Sequence, residues 1–492
     1  MIRLLLLGVL AVLGHPLAAQ RYDVVIAHGR VVDPASGLDA VRNVGIRGDR
    51  IAVISAAPLA GTRVIEANGL VVSPGFIDLH SHSIGLGGDV WQVRDGVATA
   101  LELEEGVFPV AEWYRSLEGN SLINYGAGAG HIPARVSVMA GATTLADQRR
   151  IRFSAGDPPP AWSHGTATPD QLAQLERTLD RGLDEGGLGI GFEINESPAA
   201  TRQEILGVFR IAARRHVPIF AHLRQMGVDP ITGSLAGAQE VLADALATGA
   251  SLHFVHLGSS TLMYAPDVVD MIEAARKRGF DVTGEVYPYN AASTGIETAM
   301  FEGDWRTKLG IGYGDLEWPA TGERLTAATF ERYRKQGGAV IIHLIPDRTV
   351  DFLVSRPGVI IASDAMPLVE GKGHPRGIGT FARVLGRYVR EKPALTLAEA
   401  IRKMTLLPAE RLQATVPAMA RKGRVTVGAD ADITIFDPAT VLDRATFDNP
   451  TQASAGIPYV IVNGTVVVQD GEIVAGVHPG RAVKGRGIRE RR

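Results

Sequence analysis

The sequence contains no cysteine. That excludes disulfides, thiolate metal ligands and a cysteine nucleophile together. Any metal must therefore be held by His, Asp or Glu. The net charge is −3, and no long basic run appears before the chain's end, so nothing argues for nucleic-acid binding. The basic, Gly-rich end, residues 481–492, reads as a frayed terminus. No apolar run is long enough for a stable membrane anchor. The N-terminal run after Arg3, residues 4–14, is broken by His15-Pro16 and followed by Ala18-Ala19. This is the pattern of a secretory signal peptide over residues 1–19, and it predicts a periplasmic or secreted protein.

What is present is an ordinary folded chain of 492 residues, 46% hydrophobic and 21% charged, long enough for more than one domain. Residues 20–72 and 422–480 carry short β-like runs with turn signals, such as YDVVIAHGRVVDP and YVIVNGTVVVQDGEIV. They predict one small β-sandwich domain built from both ends. Between them, residues 73–421 alternate apolar strand-like runs with helical patterns. The strands fall at 75–79, 98–103, 121–125, 188–194, 218–221, 251–255, 281–286 and 359–362. TPDQLAQLERTLDRGLDEGG opens on a capping Thr and closes on Gly, and DVVDMIEAARKRG has helical apolar spacing. Eight buried strands with helical connections predict an α/β fold, a (β/α)8 TIM-like barrel, with an insertion over about 290–350.

Functional groups of such a barrel sit at the C-terminal ends of its strands. Strand one ends in His80-Ser81-His82, whose alternation can aim both imidazoles at one point. Strand two, ATALELEEG, carries Glu102 and Glu104 in an apolar run, with Glu105 beside them. An unpaired buried carboxylate is costly and calls for a partner. Strand five ends near His222, strand six near His256 and strand eight at Asp364. Each residue alone reads as ordinary structure. Together, on one face, they predict a metal site. His253, His343 and His216 read as structural, and His131, after strand three, is placed near the pocket without a role.

The stretches GFIDLHSHS, AHLR, LHFVHLGSS and ASDAMP, in this order, resemble the amidohydrolase superfamily. Within it the chain is similar to the N-acyl-D-amino-acid deacylases, the D-aminoacylase family, with EVYPYNAAST, GHPRGIGTF and GRVTVGADADITIFDP in support. The resemblance implies one or two zinc ions held by His80, His82, His222 and His256. It implies Asp364 as the catalytic acid and base, Arg376 on the substrate's α-carboxylate, and Tyr287 and Ser293 in substrate contact. Relatives often place a cysteine after strand two. An ungapped match puts Glu105 there, whereas strand alternation favours Glu102 and Glu104; Glu104, nearest the strand's end, is taken as the metal ligand. Many amidohydrolases use a carboxylated lysine on strand four. No lysine precedes Lys277, so that ligand is impossible here. GFEINESP replaces a more apolar stretch usual after strand four, which leaves the substrate's side chain open.

The implied activity is zinc-dependent hydrolysis of a small-molecule N-acyl amino acid, of D configuration, to a carboxylate and a free amino acid. The rival activities on such a site are cleavage of dipeptides, lactams or another carboxylate-bearing amide. A non-catalytic binding protein would have lost ligands or the strand-eight aspartate, and all are present.

Overall fold

The computed structural model describes residues 21–152 and 159–486. The signal-peptide stretch, residues 1–19, lies outside them, as do residues 487–492. Eight parallel strands form the central sheet, in chain order Phe76–Asp78, Val97–Val107, Asn124–Gly130, Ile190–Glu193, Pro218–His222, Ser251–Phe254, Val282–Val286 and Ile360–Ile361. They are called strands one to eight below. Strand eight returns to strand one through the loops after them: His82 N donates to the Ala365 carbonyl at 2.8 Å, and Ser363 N donates to Asp78 Oδ1 at 2.9 Å. Ile77, Leu101, Phe220, Val255 and Ile360, from or beside five strands, share one apolar cluster with Leu412 and Met419. Such a packed interior leaves only the strands' far ends free for polar groups.

Strand three differs from the sequence expectation. The apolar run at 121–125 mostly precedes it, and the strand itself is NYGAGAG. Glycine weakens strands on propensity alone, so the pattern hides it. Close packing explains the choice. A Cβ on Gly130 would lie 2.4 Å from the Glu105 carbonyl, and one on Gly126 would lie 2.7 Å from Leu188. Strand two also runs further than the apolar pattern. Its pairing with strand three slips between Glu102 and Val107, a bulge with Gly106 at φ +63°. Bulges of this kind re-aim side chains next to active sites.

The two chain ends join in a single nine-stranded sheet. Ile433–Phe436 pairs with Val71–Pro74, which leads straight into strand one. The expected sandwich is this one sheet folded over itself: Ile46 and Ile51 from one edge share a core with Ile461 and Val466 from near the other. Residues between strands seven and eight hold a separate four-stranded antiparallel sheet with its own core around Trp305, Phe330 and Trp318.

The frayed terminus is corrected over its first half. Tyr125 N donates to the Arg481 carbonyl and Val483 N to the Tyr125 carbonyl, so the chain runs along strand three. Val483 is buried, and its carbonyl accepts from Tyr114 Oη at 2.7 Å. Val483 supplies the apolar contact that a charge-based reading of the tail overlooks.

Candidate active site

The bulge in strand two carries Glu104 into the middle of the barrel mouth, where it is almost fully buried. Its Oε2 lies 2.8 Å from His80 Nε2 and 3.1 Å from His82 Nε2. Its Oε1 lies 2.7 Å from His256 Nε2 and 3.8 Å from His222 Nδ1. One carboxylate thus stands between two histidine pairs. Asp364 Oδ1 is 3.5 Å from both His80 Nε2 and His82 Nε2. Ligand-type atoms of His80, His82, Glu104 and Asp364 converge in one group, and those of Glu104, His222 and His256 in a second.

His80, His82 and His256 are held from their other edge, and His222 through Nδ1, the same nitrogen that lies nearest Glu104. His80 Nδ1 meets Glu285 at 2.6 Å, His82 Nδ1 meets Glu102 at 2.9 Å, His222 Nδ1 meets Asn195 Oδ1 at 2.6 Å, and His256 Nδ1 meets Ser260 Oγ at 2.9 Å. His253 donates from Nε2 to the second oxygen of Glu285 at 3.0 Å, which clamps that carboxylate between two rings. These contacts decide whether a metal fits. In the neutral form, with Nδ1–H donated to a carboxylate, the Nε2 atoms of His80 and His82 present lone pairs. They face each other at 3.0 Å, and both face Glu104 Oε2. Acceptors aimed at acceptors need positive charge between them, which a proton or a metal ion supplies. Glu104 Oε1, buried 2.7 Å from His256 Nε2, makes no well-aligned hydrogen bond among the described residues. Imidazole and carboxylate donors without thiolate suit zinc.

The fields agree. Burial resists charge on Glu104, but His80, His256 and His222 hold its carboxyl well below the usual range. Burial also resists charge on Glu285, yet His80 and His253 keep it at about 2. His222 is pushed down to about 3 by burial. His256 and Asp364 have φ of +27° and +54°, a region that non-glycine residues rarely occupy. Such strain persists where surroundings over-determine a functional position.

Arg376 opens the helix Arg376–Arg383 and is fully buried. Its Nη2 forms an ion pair with Asp364 Oδ1 at 2.9 Å and donates to the Ser293 carbonyl at 3.4 Å, and its guanidinium lies over the Tyr287 ring at 4.8 Å. Its Nε and Nη1, and the Tyr287 hydroxyl, have no hydrogen-bond partner among the described residues. All this borders a cavity of about 540 Å³ lined by His82, Glu104, His222, His256, Asp364, Arg376 and Ser293, with Trp162 and His164 on one side and the insertion on another.

The structure therefore gathers every metal-ligand candidate, Asp364 and Arg376 in one place. Of the three strand-two carboxylates, Glu104 alone reaches both histidine pairs, while Glu102 and Glu105 lie on the Nδ1 side of His82. His131 stands back from the cavity. It is buried on Glu204 at 2.8 Å, beside Arg135, which holds the carbonyls of Trp162 and Gly165. It thus belongs to an anchor for the cavity wall. His216 ends a helix in a left-handed conformation, and His343 pairs with Glu317 in the insertion. Sequence reasoning missed Glu285 and Asn195. Glu285 lies in the buried run TGEV, and the rule applied to Glu102 and Glu104 would have found it.

A family model described as "Amidohydrolase family" matches residues 63–468. An N-acyl-D-glutamate deacylase of Alcaligenes xylosoxydans xylosoxydans is 32% identical, over 91% of this chain and 94% of that protein. A D-aminoacylase of the same organism is 30% identical, over 94% of this chain and 98% of its own length. Among solved structures, the N-acyl-D-glutamate deacylase of Bordetella bronchiseptica, complexed with zinc and a phosphonate mimic of the tetrahedral intermediate, matches with a TM-score of 0.78. It is 26% identical, over 94% of this chain and all of that one. A D-aminoacylase structure described with a binuclear metal centre matches at 0.77, with 26% identity over the same shares. The chain belongs to the amidohydrolase family, in its D-aminoacylase branch.

Proposed function

We propose that the protein is a zinc-dependent deacylase that hydrolyses the amide bond of N-acyl-D-amino acids. The observation that carries this reading is the pairing of Glu104, set between two histidine pairs, with Arg376, whose buried Nε and Nη1 lack hydrogen-bond partners among the described residues. His80, His82, Glu104, His222 and His256 would hold the metal. When bound there, zinc supplies a Lewis acid for the carbonyl oxygen and makes water a nucleophile at neutral pH.

The chain's own groups do the rest. Arg376 offers Nε and Nη1 to the substrate's α-carboxylate, with Tyr287 stacked beneath and Ser293 beside it. That fixes the scissile amide relative to Asp364, which Arg376 also holds, at 2.9 Å. Burial resists charge on Asp364, but Arg376 and His80 keep its carboxyl well below its usual range, so it starts as a carboxylate. It takes a proton from the attacking water and delivers it to the departing nitrogen, and products leave as a carboxylate and a free amino acid. Support for the D configuration comes from the named activities of the relatives. The test is a hydrolysis screen of paired N-acyl-D- and N-acyl-L-amino acids on zinc-loaded protein. Turnover confined to the L series, or none in either, sinks the reading.

We further propose that the protein is exported, cleaved near Ala19, on the support of its N-terminal sequence pattern alone. N-terminal sequencing of the protein from fractionated cells tests this. A cytoplasmic product that retains residue 1 overturns it.

A further inference from the structure

A narrower crevice of about 100 Å³ adjoins the main cavity, and the two share His82 and Glu105 as a common border. The crevice is mostly apolar, lined by Ile84, Leu86, Val107, Phe108, Trp113 and Leu145. The bulge in strand two builds it. Glu104 turns into the site, Gly106 at φ +63° redirects the chain, and Val107 and Phe108 then lie along the crevice. Trp113 comes from the helix Val110–Leu117, and Leu145 opens the helix Leu145–Arg152. Two of its polar groups are engaged elsewhere: Glu102 faces His82, and Gln148 donates to the carbonyls of Pro133 and Ala142. Leu86 is 50% exposed, and Val107 and Leu145 are half-buried. Apolar surface therefore remains for a ligand to cover.

The reaction says which part of the substrate lies there. Arg376, which takes the α-carboxylate, stands among residues that follow strands seven and eight: Tyr287, Ser293 and Asp364. The scissile carbonyl lies before Glu104 and the histidines. A trans amide holds the acyl chain and the amino-acid carbon on opposite sides of its C–N bond. The acyl chain thus leaves the metal site away from Arg376, towards strands two and three and the crevice. A second hollow, of about 220 Å³, meets the main cavity at Met366. It lies beside His374 and Ile378, on the Arg376 side, where the amino-acid half is held.

We propose that the crevice is the acyl subsite, and that the preferred substrates carry a linear aliphatic acyl chain longer than acetyl. This rests on the deacylase reading given above and names the acyl half of its substrate.

The test is a chain-length series on full-length, zinc-loaded protein: N-acetyl-, N-butanoyl-, N-hexanoyl- and N-octanoyl-D-methionine. Each methylene that leaves water contributes up to about fourfold, so kcat/KM for the hexanoyl substrate should exceed that for the acetyl one by at least about tenfold. Val107→Phe fills the crevice, and Leu145→Gln makes its wall polar. Each should lower the hexanoyl-to-acetyl ratio by at least about fivefold. Leu368→Gln, in the second hollow, should leave the ratio unmoved. A ratio of substrates cancels any general loss of activity, and circular dichroism establishes that each variant folds. Either crevice variant suffices if the other does not fold. The wild-type series stands without them: no gain from acetyl to hexanoyl overturns the proposal and leaves the deacylase reading intact. So does a ratio that folded crevice variants retain, or one that Leu368→Gln lowers as much as they do. Failure to hydrolyse any member of the series, under conditions where zinc is bound, overturns both.

Discussion

Glu102 and Glu104, two residues apart on one strand, grip opposite edges of the same ring: Glu102 meets His82 Nδ1 at 2.9 Å and Glu104 meets His82 Nε2 at 3.1 Å. Strand alternation sends both carboxylates to the same side, and the bulge beyond them lets Glu104 also reach His256. A carboxylate that spans both halves takes the place that a thiolate or a carboxylated lysine could not fill in this chain. Glu104→Ala should therefore lower metal affinity in both halves, by at least about 100-fold. Zinc analysis after dialysis measures it. A variant that keeps two tightly held ions removes Glu104 from the centre.

Asp364→Asn separates proton transfer from metal binding. Asparagine keeps the size and loses the basic oxygen, so bound zinc should stay near the wild-type level while kcat falls by about 10²–10⁴-fold, the usual worth of a positioned acid–base group. Steady-state rates with parallel metal analysis decide it. A folded, metal-loaded variant with nearly full kcat sinks the assignment.

Arg376 predicts how the enzyme reads the substrate's carboxylate. Wild-type protein should prefer an N-acyl-D-amino acid over its uncharged α-amide by about 100-fold in kcat/KM, because charge-assisted hydrogen bonds contribute roughly 1.5–3 kcal/mol. Arg376→Lys should lose most of that preference, since lysine lacks the fork and would still have to face Asp364. The ratio of the two substrates is the readout, which cancels any general loss from disturbing the 2.9 Å pair with Asp364. An unchanged ratio would place the carboxylate elsewhere.

How far the sequence reveals this site depends on the type of residue. Histidines at strand ends and acids inside apolar runs are conspicuous, because elementary energetics forbids them a casual presence there. Thus His80, His82, Glu104, His222, His256 and Asp364 could be named from sequence, and the structure brings them together. What periodicity cannot show is a slip in register. The bulge that chooses Glu104 over Glu105 depends on strand three approaching through glycines, where Gly130 leaves no room for a Cβ against the Glu105 carbonyl. The same glycines hid strand three itself. Asn195 was hidden for another reason: an amide in a loop carries no burial penalty until the fold places it on His222.

A stability prediction comes from Lys403, which is fully buried in the helix Leu397–Met404 with its ammonium on the Arg356 carbonyl. Burial lowers its pKa from 10.5 to about 7. The unfolded chain therefore holds this proton more tightly than the folded one. Stability contributed here falls as pH drops from about 10 towards 7, and the penalty stays full at lower pH. Lys403→Met removes it. The melting midpoint at pH 7 should rise by at least about 2 °C, with the advantage shrinking towards pH 10. A midpoint at pH 7 equal to or below that of the wild type refutes it.

The last prediction concerns the substrate's side chain. Among the described residues that line the cavity, Glu193, Glu196, Glu297 and Glu331, with Glu105 beside His82 at 3.6 Å and Glu302 beside His164 at 3.0 Å, outnumber Arg334 and Lys335. Arg334 is also committed to the carbonyls of Ile296 and Thr298. With Arg376 reserved for the α-carboxylate, a second negative charge on the substrate would enter a wall of its own sign. Juxtaposed like charges cost up to several kcal/mol in a desolvated site and less where water screens them. N-acetyl-D-glutamate should therefore show kcat/KM at least about 10-fold below N-acetyl-D-methionine, and N-acetyl-D-lysine should match or exceed the latter. Raising the ionic strength should narrow the gap, as screening of a long-range repulsion requires. Preference for the acidic substrate at low salt would show that a cation outside these residues, or a different binding direction, governs the pocket.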